Sequence, residues 1–144
     1  LVGRVNDEQR LNEMAEKLRL KNLEFSGFIS ENGKIKKLEG ARILVLPSRF
    51  EGWGIVVIEA AACGKPVIVS DIPELKYAVD AGFGISFKTG DAKDLSDKIN
   101  FLLENDSLRN EMGMKGKEYA KNNTWDKIAE DYERFLLQVV KKLG

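Results

Sequence analysis

Histidine is absent from this chain of 144 residues, and cysteine occurs once, as Cys63. The lack of histidine excludes His-based catalytic triads and the commonest metal ligand, and one cysteine cannot build a disulfide framework. Any chemistry must therefore use carboxylates, amides and hydroxyls, and we expect neither a metal nor a resident cofactor. Cys63 itself precedes a glycine and is expected to be a small buried hydrophobe rather than a nucleophile.

An excess of either charge is also missing, because 23 acidic residues balance 23 basic ones. A net charge of zero provides no global field that would draw the chain to nucleic acid, so nucleic-acid binding is not expected. The longest apolar runs, 43–47 and 55–58, are far shorter than the roughly 20 residues that span a bilayer. No secretory signal is visible either. We expect a cytoplasmic location, peripheral to a membrane if a further domain provides the contact.

The length allows one α/β domain with a core of its own. The chain opens on Leu1 rather than methionine, and 1–3 is typical of the end of a strand. We therefore expect a fragment whose first strand begins upstream.

Apolar periodicity and turn signals predict strands that alternate with helices. Predicted strands cover 1–3, 23–25, 43–46, 67–70 and 85–87. Predicted helices begin near Asn6 or Asp7, Gly33, Gly54, Pro73, Asp91, Asp106 or Ser107, and Thr124. Such alternation implies right-handed crossovers, a mainly parallel sheet and helices on both faces, which is a Rossmann-like α/β fold.

Two elements carry further expectations. The unbroken aliphatic run 43–46 suits a strand that is covered on both faces, so it is predicted to be central. The final helix is apolar on more than one face, and we expect it to pack partly against a domain that this sequence does not contain.

The segment 47–60, which reads PSRFEGWGIVVIEA, contains two carboxylates, Glu51 and Glu59. It joins a strand to a helix, so its loop is expected at the carboxyl end of that strand, where open α/β sheets bind ligands. Glycine at 52 and 54 lets backbone amides approach a ligand closely, and the first turn of the helix adds unpaired donors suited to phosphate. The residues thus predict an anion site flanked by two carboxylates.

The order of these motifs resembles the C-terminal half of GT-B-fold glycosyltransferases, in particular glycosyltransferase family 4. The resemblance rests on the Glu-x₇-Glu signature in its Pro-Ser and Glu-Gly-Trp-Gly setting, on Phe25-Ser26-Gly27, on Cys63-Gly64-Lys65-Pro66-Val67 and on Pro73-Glu74. It covers nearly the whole chain. It implies that 1–144 is a nucleotide-sugar donor-binding domain, truncated at its N-terminal end and lacking the acceptor domain.

The resemblance also implies roles for single residues. Glu51 would contact hydroxyls of the donor sugar near its reacting carbon, which makes it the catalytic candidate, and Glu59 would accept hydrogen bonds from the ribose hydroxyls. The backbone that would meet the sugar and diphosphate is that of Gly52, Trp53, Gly54, Ile55 and Val56. The nucleobase would lie against Gly27, Phe28 and Ile29. The Trp53 ring is expected to pack under the loop as scaffold.

The implied reaction is the retaining transfer of a hexose from a nucleoside-diphosphate sugar, which is a substrate rather than a cofactor. The acceptor would be a glycan or a lipid-linked glycan held by the absent N-terminal domain, and the fragment alone is expected to be inactive. Two alternatives stay open: a nucleotide-sugar epimerase or phosphorylase of the same fold, and a non-catalytic Rossmann-like nucleotide-binding module.

The sequence departs from the family pattern in three places. The Arg and Lys that clamp the diphosphate in the family would lie upstream of Leu1, outside this sequence. Gly3-Arg4-Val5 stands where the family has a Gly-x-Gly turn, and Ser70-Asp71 stands where it often has Gly-Gly. We therefore expect the loop after 67–70 to be shaped differently.

Overall fold

The computed structural model describes residues 1–3 and 7–143. The chain forms two compact units, Leu1–Lys37 and Leu38–Gly144. The predicted helix cap at Asn6 lies outside the described residues, as do Arg4 and Val5 of the departing turn.

The first unit contains helix α1 (Glu8–Lys17) and most of helix α2 (Glu31–Gly40), both of which the periodicity predicts. Asp7 occupies the N-cap position of α1 but makes no side-chain capping bond. Asp7 is therefore the N-cap of α1 by position, without a capping hydrogen bond from its side chain.

The strand predicted at 23–25 is not formed. The parallel pairing of this segment with the start of the chain is reduced to one bridge, between Val2 and Gly27, with the Gly3 amide donating to the Gly27 carbonyl at 2.9 Å. The Glu24 carboxylate instead binds the Lys37 ammonium at 2.5 Å. Without a longer partner strand, an alternating apolar pattern is not enough to build a ladder.

The second unit contains a parallel three-stranded sheet in the order β1–β2–β3. Its strands are β1 (Leu44–Leu46), β2 (Val67–Ser70) and β3 (Gly84–Phe87). Its helices are α3 (Ile55–Ala62), α4 (Lys76–Asp80), α5 (Ala92–Glu104), α6 (Asp106–Asn122) and α7 (Trp125–Leu143), and a 3-10 turn (Pro73–Leu75) precedes α4. Each of these elements lies close to its predicted position.

The central strand of this sheet is β2, so the prediction that 43–46 is central is wrong. All four residues of β2 are buried, whereas the residues of β1 are only partly buried. Both runs are largely aliphatic, and composition alone does not show which of them is central. The choice is made by pairing, because β2 lies between two neighbours and β1 pairs with β2 alone among the described strands.

Helices cover both faces of the sheet, as predicted. Side chains alternate along a strand, so Val67 and Val69 pack on one face with residues of α3 and with Ala78 of α4. On the other face, Ile68 packs with Leu102 of α5 and Met112 of α6. This two-layered packing around a parallel sheet confirms the Rossmann-like α/β architecture.

Helix α7 has no described side chain that is buried. Its large exposed apolar residues are Trp125, Tyr132, Phe135, Leu136, Leu137, Val139 and Val140. The expectation that it packs against another domain stays a prediction. In the described part of the chain no helix is both long enough and apolar enough to cross a membrane.

Candidate functional site

The loop that leaves β1 holds the first of the two carboxylates. Glu51 is half-buried, and the Ser48 hydroxyl donates a hydrogen bond to its Oε1 at 2.8 Å. Because the donor lies only three residues away, the loop itself orients the carboxylate. Ser48 belongs to the sequence motif, but the motif alone indicates no role for its hydroxyl.

Gly54 makes the turn from this loop into α3. It is buried in the left-handed conformation, with φ +67° and ψ 52°. A Cβ at this position would lie 2.7 Å from Cδ2 of Leu75 and 3.4 Å from Cδ2 of Leu46. Both the backbone angle and the available space therefore require glycine. This gives a structural reason for Gly54 that does not depend on the close approach of a ligand.

The first amides of α3 come directly after this turn. The Val57 amide donates to the Gly54 carbonyl at 2.8 Å and is thereby satisfied. The amides of Ile55 and Val56 precede it, in the part of a helix where backbone donors have no intrahelical partner. With the partial positive charge of the helix start, they form the part of the turn best suited to an anion.

Tyr77 of α4, which packs on the same face of the sheet as α3, also contacts this turn. Its hydroxyl donates to the Trp53 carbonyl at 3.1 Å and lies 3.4 Å from the Gly54 carbonyl. Burial, with smaller effects of Tyr119 and of the Glu51 carboxylate, raises the pKa of Tyr77 to about 12. The hydroxyl therefore keeps its proton at neutral pH and remains a donor. The sequence contains no signal for this contact.

Glu59 lies one helical turn beyond Ile55 and is half-buried. It borders a largely apolar groove of about 410 Å³. The groove is lined by Trp53, Ile55, Ile58, Glu59 and Ala62 on one side and by Ala120, Asn123, Thr124, Trp125 and Ile128 on the other. Trp53 is 53% exposed in this groove, so the expectation that its ring packs under the loop is wrong.

The second unit thus brings together Glu51, the backbone 52–56 and Glu59, all within one continuous segment. The nucleobase candidates belong to the first unit. There Gly27 has φ +59°, Phe28 is 95% exposed and Ile29 is half-buried. Their role stays a prediction.

Residues 1–119 match the family model described as glycosyl transferases group 1. The chain belongs to this family. It is 33% identical over 128 residues to an uncharacterized glycosyltransferase of Methanocaldococcus jannaschii, covering 88% of this chain and 36% of that protein. It is also 36% identical over 110 residues to the N,N'-diacetylbacillosaminyl-diphospho-undecaprenol alpha-1,3-N-acetylgalactosaminyltransferase of Campylobacter jejuni, covering 76% of this chain and 29% of that enzyme. The group 1 chain therefore spans about a third of the length of these relatives.

The fold of this group 1 glycosyltransferase chain is similar to that of sucrose-phosphate synthase from Thermosynechococcus elongatus. The TM-score is 0.85 at 26% identity, over 99% of this chain and 38% of that one. The match confirms the expected C-terminal domain of a GT-B-fold glycosyltransferase, while assignment to family 4 stays a prediction.

The Ser70-Asp71 departure of this group 1 chain has a structural consequence. The Asp71 carboxylate accepts hydrogen bonds from the Thr89 hydroxyl at 2.6 Å and from the Thr89 amide at 2.8 Å. These two bonds, that of the hydroxyl first, lower the pKa of Asp71. They tie the loop after β2 to the loop after β3. A Gly-Gly pair has no side chain that could make this connection, so the loop is held differently here.

Within 1–3 and 7–143, no three His, Cys, Asp or Glu side chains are grouped so that they could hold a metal ion. Cys63 is half-buried, and burial, followed by the charge of Glu39, raises the pKa of its thiol. The neutral thiol is favoured, which suits the packing role expected of it.

Proposed function

We propose that this domain is the donor half of a retaining hexosyltransferase that uses a nucleoside-diphosphate sugar. The observation that carries the proposal is the buried left-handed turn at Gly54, which starts α3 between the two carboxylates. Family membership supports sugar transfer as the reaction class. The Campylobacter jejuni relative is named for the transfer of N-acetylgalactosamine to a diphospho-undecaprenol-linked sugar, which supports a lipid-linked glycan as one acceptor class.

The diphosphate would be bound by the backbone at the start of α3. As the bond to the sugar breaks, negative charge would grow on the diphosphate oxygens, and the amides of Ile55 and Val56 would donate hydrogen bonds to them. One preorganised donor of this kind contributes roughly 3 to 4 kcal/mol to a transition state in comparable oxyanion sites. This stabilisation needs no side chain, so it depends on the shape of the turn.

Glu51 would act at the sugar. Its carboxylate, which accepts a hydrogen bond from Ser48 at 2.8 Å, lies in the loop between β1 and α3 rather than on the helix. There it would bind donor hydroxyls and stabilise positive charge as it develops at the anomeric carbon. We assign it as the catalytic residue.

Glu59 would act at the nucleoside. It lies one turn inside α3, beside the groove of about 410 Å³, where its carboxylate can accept two hydrogen bonds from ribose hydroxyls. We assign the nucleobase contact to the backbone of 27–29 in the first unit. The acceptor would be bound by an upstream domain, in a cytoplasmic enzyme that reaches its lipid-linked substrate at the membrane surface.

The assignment of the two carboxylates is tested in the full-length protein with Glu51→Gln and Glu59→Ala. We expect Glu51→Gln to lower kcat by about 100-fold or more, since it removes the negative charge that would stabilise positive charge at the anomeric carbon, with nucleotide binding nearly unchanged. Glu59→Ala should weaken donor binding by roughly tenfold to a hundredfold, the range for hydrogen bonds to a charged group. Glu104→Gln, which alters an exposed carboxylate at the end of α5, is the matched control.

Product analysis distinguishes the reaction classes. Sugar transfer releases a free nucleoside diphosphate and a new glycoside of unchanged anomeric configuration, whereas an epimerase returns an altered donor and a phosphorylase yields a sugar phosphate. Failure of the wild-type protein to bind any UDP-, GDP- or ADP-sugar in a thermal-shift titration would refute the donor site altogether.

A further inference from the structure

Tyr77 connects α4 to the turn that starts α3. Its hydroxyl lies 3.1 Å from the Trp53 carbonyl and 3.4 Å from the Gly54 carbonyl. Tyr77 and Trp53 are 24 residues apart in the sequence. The Trp53 carbonyl shares its peptide unit with the Gly54 amide, and the Gly54 carbonyl shares its peptide unit with the Ile55 amide. The contact therefore restrains the two peptide planes that set the direction of the amides at the start of α3.

The Gly54 carbonyl is shared between two donors. Besides the Tyr77 hydroxyl it accepts the Val57 amide at 2.8 Å, the bond that closes the first turn of α3. A left-handed glycine has wide conformational freedom, so a turn built on it is held by its contacts rather than by its own backbone preference. Tyr77 supplies such a contact from outside the segment.

We propose that Tyr77 is a positioning residue, whose hydroxyl holds the Trp53 and Gly54 peptide planes so that the first amides of α3 and Glu51 face the donor together. The donor role of these groups rests on the proposed function. That Tyr77 holds the turn is inferred from the two hydrogen bonds and does not depend on the proposed function.

The ring of Tyr77 has separate packing, which makes the hydroxyl testable by itself. It stacks on Tyr119 with ring centroids 5.8 Å apart and lies at 6.3 Å from Phe83, which is fully buried. Tyr77→Phe keeps these aromatic contacts and removes only the donor. Tyr119→Phe removes a hydroxyl from the stacked neighbour and serves as the control.

The first measurement is amide hydrogen exchange of the full-length protein without nucleotide. Loss of one hydrogen bond should speed exchange of the Val57 amide by about threefold to tenfold in Tyr77→Phe. Exchange in β2 and α5 should stay at wild-type rates, and Tyr119→Phe should leave Val57 unchanged. Equal exchange at Val57 in both variants, or a uniform increase across the whole unit in Tyr77→Phe, would overturn the proposal.

The second measurement is steady-state kinetics with the donor that the wild type binds. A turn held out of place should lower kcat/KM by about threefold to tenfold in Tyr77→Phe at an unchanged melting temperature, with most of the loss in kcat. A merely structural role predicts a lowered melting temperature with wild-type kinetics below it, and that result would also overturn the proposal.

The two arms separate this inference from the proposed function. A wild-type protein that binds no nucleotide sugar, with faster Val57 exchange only in Tyr77→Phe, refutes the donor site and supports the holding of the turn. A wild type that transfers sugar, with Tyr77→Phe and Tyr119→Phe alike in exchange and kinetics, supports the donor site and refutes the role of Tyr77.

Discussion

Replacing Gly54 with alanine tests the turn on which both proposals depend. An alanine there must adopt φ near +67°, which costs roughly 1 to 2 kcal/mol for an L-residue. Its Cβ would also lie 2.7 Å from Cδ2 of Leu75, a fully buried side chain. Forcing a methyl into such a packed core costs roughly a further 1 to 3 kcal/mol. We expect Gly54→Ala to lower the free energy of unfolding by about 2 to 5 kcal/mol.

Two other glycines of the same unit separate these contributions. Gly90 has φ +84° and no atom within 4 Å of an added Cβ, so Gly90→Ala should show the backbone cost alone, about 1 to 2 kcal/mol. Gly52 does not have a positive φ, and an added Cβ there also meets nothing within 4 Å. Gly52→Ala should therefore stay within about 0.5 kcal/mol of wild type. The three variants form a series in which conformation and contact enter one at a time.

The assay is urea unfolding monitored by tryptophan fluorescence. The urea midpoints of the variants are compared with that of the wild type, provided that the dependence of the unfolding free energy on urea concentration is unchanged. If Gly54→Ala loses no more than Gly90→Ala, Leu75 moves aside at little cost and the packing argument fails. If it loses no more than Gly52→Ala, the left-handed turn itself is refuted. A loss larger than that of Gly90→Ala, together with weakened donor binding at temperatures where the variant is folded, supports both the turn and its function.

Three further predictions concern titrating groups. The hydrogen bonds from Thr89 lower the pKa of Asp71, so the contribution of Asp71 to stability is present above the ordinary Asp pKa of about 3.9 and is lost as the pH falls through the lower folded value. Asp71→Asn should therefore reduce the fall of the urea midpoint at acid pH. An unchanged fall would contradict the Asp71–Thr89 hydrogen bonds. The pKa of Cys63 is raised by burial, so iodoacetamide should modify it more slowly at pH 8 than an unstructured peptide thiol, and equal rates would contradict its packing. The pKa of Tyr77 is raised to about 12, so stability should fall as the pH rises from about 10, the ordinary Tyr value, to 12; Tyr77→Phe should lose part of this dependence, whereas Tyr119→Phe should retain more of it.

Much of the fold could be predicted because it is encoded locally. The start of α3 at Gly54, its end before Gly64 and the cap of α5 by Asp91 each depend on residues within a few positions of one another. The Asp91 carboxylate, for example, accepts from the amides two and three residues later at 3.0 and 3.1 Å. Turn and cap chemistry of this kind is visible in a single sequence.

The two failures in the sheet have a different origin. A strand is stabilised by neighbours that are distant in the sequence, so the apolar pattern of 43–46 or 23–25 shows only that a strand would be compatible there. Which run becomes central, and which finds only the Val2–Gly27 bridge, is decided by pairing. Neither outcome changes the loop after β1, because a strand at either place in the sheet ends at the same edge.

The candidate site, like the sheet, was predictable from the sequence only in part. Glu51 and Glu59 belong to one continuous segment, and the helix that begins between them gives them different surroundings: Glu51 is oriented by Ser48 before α3 starts, and Glu59 faces a groove one turn inside the helix. Two carboxylates held on opposite sides of a helix start are suited to separate tasks at the sugar and the ribose. The phosphate between them would be bound by the backbone. That backbone lies against Leu75 and accepts hydrogen bonds from Tyr77, which the sequence places more than twenty residues away. The residues that would touch the donor are thus encoded locally, whereas the residues that hold them in place are encoded by the fold.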